Sequence, residues 1–276
     1  MPTVINKHGL ARHIPEPVKR AVRQACANGC VICGRMPYEY DHFDPPFEDA
    51  KDHHAVGIAL LCSVHHTDRT AGRLSVDAVR KARVKPFNAG RASVWSHHLT
   101  EQSLTLNVAG NILQGPSVGL SVNGAIVFGL RAPGTVDGQW LVTGSINDSS
   151  GRETLRFRDN EVLAVNGSWD VSMEGPTITV RRGTGDIVAQ VSFRTEDQVI
   201  SLERLNMRLG GGHALHANRS GIQVSGPAVN FQVGGNIVIG ATGCAIRLGR
   251  DSEPPKDFAT LAINFAALGS PNDWRD

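Results

Sequence analysis

CVICG (30–34), YEYDHFDP (38–45) and ALLCSVHHTDRT (59–70) decide how the first third of this 276-residue chain is read. Cys30 and Cys33 form a C-x-x-C pair, and Cys62 and His65 form a second pair about thirty residues on. Two pairs of soft ligands, each spaced for a short turn to grip one ion, are the sequence form of a closed tetrahedral zinc site. Asp41, His42 and His66 lie among these pairs, and a structural zinc has no need of them.

Outward from this stretch, helical signals come first. Glu16-Pro17 opens a helix, because a proline in the first turn gives up an N–H that has no helical partner anyway. Val18, Ala21, Val22 and Ala25 share a face, with Lys19, Arg20 and Arg23 on the others. Gly29 ends this helix, and Cys26 on it reads as a small core residue. Residues 38–43 alternate as a strand, and Pro45-Pro46 stops it. Residues 47–57 form a polar loop, Ile58–Leu61 a short apolar strand that can pair back, and the following segment a helix bearing His65 and His66. A further helix over 75–84 is capped by Ser75. Residues 1–14 read as a solvated arm, and 87–100 have linker character.

Beyond residue 100 helical periodicity vanishes. LNVAGNILQG (106–115), LSVNGAIVFG (120–129), LAVNGSWDVS (163–172) and FQVGGNIVIG (231–240) each place two half-strands around a small-residue turn. Their irregular offsets leave a β-sandwich and an irregular β-solenoid both open. PPKDFATLAINFAALGSP predicts a short closing amphipathic helix near the C-terminus. The expected fold class is α+β, with a small N-terminal metal-stapled domain over 1–86, a linker, and a mainly-β domain over 101–276.

Composition bounds the function. Hydrophobic residues make up 41% and charged residues 20%, enough to build packed cores. Residues 1–100 carry 14 Lys+Arg against 9 Asp+Glu, and the remainder 14 against 17. Nine of the eleven histidines also lie in the first hundred residues. A basic, His-rich N-terminal part suits a polyanion such as nucleic acid. No apolar run approaches the roughly 18 residues of a membrane span, and MPTVINKHGL lacks the apolar core of a signal peptide. Cysteines in a C-x-x-C setting point to a reducing compartment, so a cytoplasmic location is expected.

Taken together, CVIC, the DH of 41–42 with its proline-containing loop, and LLCSVHHTDRT resemble the HNH endonuclease family in its zinc-stapled form, over residues 15–86. The resemblance implies a β-hairpin and helix around one catalytic divalent cation, Mg²⁺ or Mn²⁺, and hydrolysis of DNA phosphodiester bonds. It implies that His42 is the general base and that Asp41 and His66 hold the catalytic ion. Cys30, Cys33, Cys62 and His65 then form the zinc staple, with His65 where cysteine is commoner. Consecutive helix residues project about 100° apart, which lets His65 and His66 serve different sites. Asp41 and His42, adjacent in a strand, need a bend or bulge to serve one site. Arg69 and the Lys19, Arg20, Arg23 helix are candidates for backbone phosphates.

The chain departs from the family at Gly57, where an asparagine that orients the base usually stands. His53 or His54 could replace it, against the plainer reading of two solvated loop histidines. The competing function is a non-catalytic zinc-stapled nucleic-acid-binding module. A third makes the β-rich part a ligand-binding, target-binding or homo-oligomerising domain that carries or gates a degenerate unit. A nuclease with a separate sensing half would suit a regulated bacterial effector acting against foreign DNA. His213 and His216, after the Gly210-Gly211-Gly212 run, read as exposed turn residues in preference to a local metal pair.

Overall fold

The computed structural model describes residues 4–248, apart from 91–92, 97–98, 100–102, 123–124, 136–137, 159, 165–168, 210–211, 227–229, 236–237 and 241–243. The predicted C-terminal helix lies outside the described residues. The class is α+β: a few short helices near the N-terminus and mostly antiparallel sheet thereafter. Two compact units result, one of residues 1–95 with Trp169–Met173, the other of 96–168 with 174–276. Among the described residues, no helix is long and apolar enough to cross a membrane.

In the first unit, α1 (Glu16–Ala25) has Pro17 in its first turn and ends where Ala27 and Asn28 take left-handed backbone. That end precedes the glycine the sequence suggested. β1 (Glu39–His42) pairs antiparallel with β2 (Ile58–Leu61), His42 opposite Ile58 and Glu39 opposite Leu61. All four residues of β2 are buried, which is why IALL is apolar without alternation. α2 (Ser63–Thr70) follows with Cys62 at its N-cap. α3 (Val76–Val84) is capped as predicted, the Ser75 side chain accepting from the Ala78 amide at 3.2 Å. Val22, Cys26, Val31 and Val79 join β2 in the core. Arg83 stitches this core together, donating to the carbonyls of Ala25, Ile58 and Ala55 at 2.9, 3.1 and 3.2 Å.

Two segments differ from the sequence reading. Residues 4–12 form a tight hairpin in place of a solvated arm. Arg12 N donates to Val4 O at 2.8 Å, and the Asn6 carboxamide oxygen accepts from the amides of His8 and Leu10. The Asn6 amide also donates to Phe47 O and Ala50 O, both at 2.6 Å, pinning the hairpin to the 47–50 loop. At the start of the predicted linker, Phe87 N donates to Val31 O and the buried Asn88 donates to Gly34 O at 2.9 Å.

Arg23 also departs from expectation. It is fully buried and makes a two-pronged bond to Asp170, Nε to Oδ1 at 2.7 Å and Nη2 to Oδ2 at 2.8 Å. Nη1 also donates to Tyr40 Oη at 2.7 Å and Nη2 to Glu16 Oε1 at 2.6 Å. Burial works against the guanidinium charge, but the bonds it donates to Asp170 and Glu16 outweigh that and raise the pKa. Arg23 is therefore a structural cation and is not exposed to a phosphate backbone. The neighbouring Arg20 lies over the Trp169 ring at 4.5 Å.

In the second unit, strands 117–122, 125–131, 141–147, 153–158 and 161–164 form an antiparallel meander, and 177–183 through 230–234 form another. Phe157 of the first meander meets Phe128 at 5.0 Å and Phe193 of the second at 6.4 Å, so the sheets share a buried aromatic core. Of the two arrangements left open by the sequence, this is the sandwich-like one. The first internal segment is a true hairpin, 105–108 against 111–114, turning through Ala109 and Gly110 at positive φ. The last is not, because 238–240 pairs in parallel with 112–114.

Replacing Asp170 with Ala leaves a buried guanidinium short of its carboxylate, at an expected cost of about 3–5 kcal/mol. Urea denaturation of the full chain measures it. Combining Asp170→Leu with Arg23→Met should recover most of that loss, since an apolar pair of similar volume avoids the desolvation penalty.

Candidate metal centre and adjoining pocket

The C-x-x-C knuckle is built by backbone bonds that turn the chain back on itself. Cys30 O accepts from Gly34 N at 2.7 Å, and Cys30 N donates to Arg35 O at 3.1 Å. Gly34 has φ of 75°, and a Cβ there would lie 2.1 Å from Asn88 Oδ1, so only glycine closes the turn. β2 delivers Cys62, and the first turn of α2 brings His65 onto the same point.

Ligand atoms of Cys30, Cys33, Cys62 and His65 all lie within 4.8 Å of one another. His65 Nδ1 is 3.4 Å from Cys30 Sγ and 3.3 Å from Cys62 Sγ, and Cys33 Sγ is 3.7 Å from Cys62 Sγ. Zinc bonded at about 2.3 Å to sulfur and about 2.0 Å to nitrogen gives tetrahedral edges of about 3.8 and 3.5 Å. The four side chains therefore fit a structural zinc ion. Burial, reinforced by the Cys30 and Cys62 sulfurs, pushes the Cys33 thiol up to about 12, against the thiolate form that a metal ligand takes. A bound ion stabilises the thiolates and removes that conflict. Cys26 takes no part. It is a buried thiol, pushed up to about 11 mainly by burial, as a core residue would be.

The other face of α2 borders a separate pocket of 460 Å³ lined by Asp41, His42, His66, Arg69, Arg12 and Phe47 among others. His66 Nε2 lies 3.6 Å from Asp41 Oδ1, and its Nδ1 lies 3.5 Å from Glu39 Oε2. Arg69 Nε lies 3.9 Å from Asp41 Oδ2. Both of those atoms are buried and, among the described residues, lack a hydrogen-bond partner. Burial raises the Asp41 pKa, partly offset by Arg69 and His66. A buried carboxylate with an open acceptor beside an imidazole is a donor set suited to a divalent ion. An octahedral ion bonded at about 2.1 Å sets adjacent ligand atoms about 3.0 Å apart and opposite ones about 4.2 Å apart; the 3.6 Å Asp41–His66 separation lies between the two, so a small side-chain shift brings both atoms to adjacent positions.

The bend in β1 comes directly after the two site residues, as two amides against one carbonyl. Pairing is regular through His42, and the chain breaks one residue later, where the amides of Phe43 and Asp44 both go to Gly57 O at 3.1 and 3.3 Å. That convergence explains the glycine: a Cβ on residue 57 would lie 2.2 Å from Asp44 O. No side chain fits there.

His42 is half-buried against Phe47, with ring centroids 5.5 Å apart. Burial, helped by His53 and Arg12, lowers its pKa to about 4, so the ring is uncharged near neutral pH. Its Nε2 lies 3.0 Å from His53 Nδ1, and His53 Nε2 lies 2.9 Å from Ala11 O. His54 instead points away, exposed and 2.9 Å from Asp52. The sequence reads Arg12 as part of a solvated arm. It stands over Phe47 at 5.5 Å and lines the pocket. The signal that could have placed it is Asn6, a turn-forming residue between short apolar segments.

His213 and His216 do not form a metal pair. They lie on strand 213–218, three apart and so on opposite faces, with His213 buried. Among the described residues the Cys30, Cys33, Cys62, His65 group is the metal-ligand cluster found. No family model, no curated protein and no solved structure matches the chain.

Purified protein should carry about one zinc per chain by elemental analysis, because three thiolates and one imidazole close the tetrahedron. Cys33→Ser should lose most of it and destabilise the first unit, read as a lowered unfolding midpoint relative to the wild-type chain.

Proposed function

We propose that the first unit is an HNH-type, metal-dependent endonuclease that hydrolyses DNA phosphodiester bonds. The observation that carries this reading is the convergence of Asp41, His42, His66 and Arg69 on one pocket beside the Cys₃His cluster. Asp41 and His66 would hold a divalent ion, Mg²⁺ or Mn²⁺. Such an ion, when bound, polarises a phosphoryl group and stabilises a leaving oxygen. The protein supplies the rest. His42, neutral and with a ring nitrogen to spare, accepts the proton of the attacking water. Arg69 and Arg12 give the pocket two guanidinium groups for phosphate oxygens, the geometry for which arginine is best suited. The Cys₃His cluster takes the structural part, holding α2 so that His66 faces Asp41. In this reading the β-rich unit regulates or assembles the nuclease.

The Arg69–Asp41 and His66–Asp41 approaches also suit a non-catalytic module in which those charges merely pair. The open acceptor on Asp41 favours the catalytic reading, because a purely structural pair would be expected to satisfy it.

Plasmid cleavage across a Mg²⁺ and Mn²⁺ titration tests the proposal. His42→Ala should retain zinc and DNA affinity and lower the cleavage rate by about 10²- to 10⁴-fold. Asp41→Ala and His66→Ala should raise the metal concentration needed for half-maximal cleavage. Equal cleavage by wild type and His42→Ala would overturn the base assignment. Binding without cleavage under every metal condition would leave the module reading in its place.

A further inference from the structure

The contact between His42 and His53 has a direction. A backbone carbonyl only accepts, so the 2.9 Å contact to Ala11 O requires a proton on His53 Nε2. With one proton on that ring, His53 Nδ1 is a lone pair. The 3.0 Å contact then requires His42 Nε2 to be the donor. With one proton on His42 as well, its Nδ1 is left as the acceptor. Two hydrogen bonds thus fix both tautomers, starting from a carbonyl in the N-terminal hairpin. We infer that His53 is a positioning residue, which with Ala11 O holds His42 in the Nε2–H tautomer and leaves Nδ1 as the atom that receives a proton.

Several features make this a built arrangement. His53 is held between two partners, and the loop that carries it is anchored through Asn6 to the hairpin that supplies Ala11 O. The Phe47 ring supports His42 edge-on and also lies under Arg12. Residue 57 cannot offer an orienting side chain, because the Asp44 carbonyl occupies the space a Cβ would need. The orienting group must come from elsewhere, and His53 is the side chain in hydrogen-bond contact with the His42 ring. A fixed tautomer matters because a base presenting N–H to its substrate cannot take a proton, however well it is placed.

The kinetic consequence rests on the nuclease reading, whereas the tautomer is a property of the folded chain, so the two can fail separately. Nitrogen-15 correlation spectra of the imidazole rings in full-length, zinc-loaded protein should show His42 protonated at Nε2 and bare at Nδ1. His53→Leu removes the acceptor and should shift His42 to a mixture of tautomers. His53→Asn keeps an acceptor oxygen at the position of Nδ1 and should preserve the wild-type pattern. In plasmid cleavage, His53→Leu should lower kcat about 10- to 100-fold, the usual loss when an orienting partner is removed, with KM for DNA little changed. His53→Asn should recover most of it. Zinc content and the unfolding midpoint establish that each variant is folded. A wild-type His42 protonated at Nδ1 would overturn the assignment even if no variant folds. So would a His42 signal unchanged in folded His53→Leu. If wild type does not cleave while the tautomer pattern is as stated, the nuclease reading fails and the positioning contact stands.

Discussion

Three sulfurs and one imidazole nitrogen crowd into a space under 5 Å across, and the first unit depends on that crowding being resolved. Buried thiols so close repel one another once ionised, and protonated they give little back. A tetrahedral ion turns the same crowding into four bonds. Because Cys62 caps α2 and His65 lies in its first turn, the cluster fixes both the position and the rotation of that helix. His66 follows in the next position, about 100° round, and is thereby set within 3.6 Å of Asp41. The geometry of the pocket is inherited from the cluster.

A second constraint closes the unit from far along the chain. Trp169–Met173 belongs with residues 1–95, and its Asp170 meets Arg23 across 147 residues of sequence. Both side chains are fully excluded from solvent, so neither can be left without the other cheaply. Tyr38 Oη donates to Val171 O, and Gln24 donates to Trp169 O. Residues 1–95, which hold every ligand of the Cys₃His cluster, thus share their compact unit with a segment from far along the chain.

The pocket draws on four separated parts of the chain. The hairpin at 4–12 gives Arg12, β1 gives Asp41 and His42, the polar loop gives Phe47, and α2 gives His66 and Arg69, while His53 and Ala11 O reach the pocket only through the His42 ring. Its electrostatics follow from burial. Partial exclusion from water keeps His42 neutral and raises the Asp41 pKa, while the guanidinium groups of Arg12 and Arg69 line the same pocket. The combination suits proton abstraction beside a bound phosphate, which is the chemistry proposed for it.

The sequence by itself determined what is local. Ligand spacing in CVIC and CSVH is set by one turn of backbone each, and the angular offset of His65 and His66 by the helix. Ser75 announced a cap, IALL a buried strand, and the loss of helical period after residue 100 the β-rich part. Only the tertiary structure decided what depends on chain closure. Arg23 reads as one more basic residue on an amphipathic helix until Asp170 arrives to bury it. His53 reads as a solvated loop histidine until the Ala11 carbonyl and the His42 ring are brought to its two nitrogens. Gly57 reads as a defect until the Asp44 carbonyl is seen to occupy the place of its Cβ. Each of these rests on an approach between backbones or side chains far apart in sequence, which periodicity and spacing cannot encode.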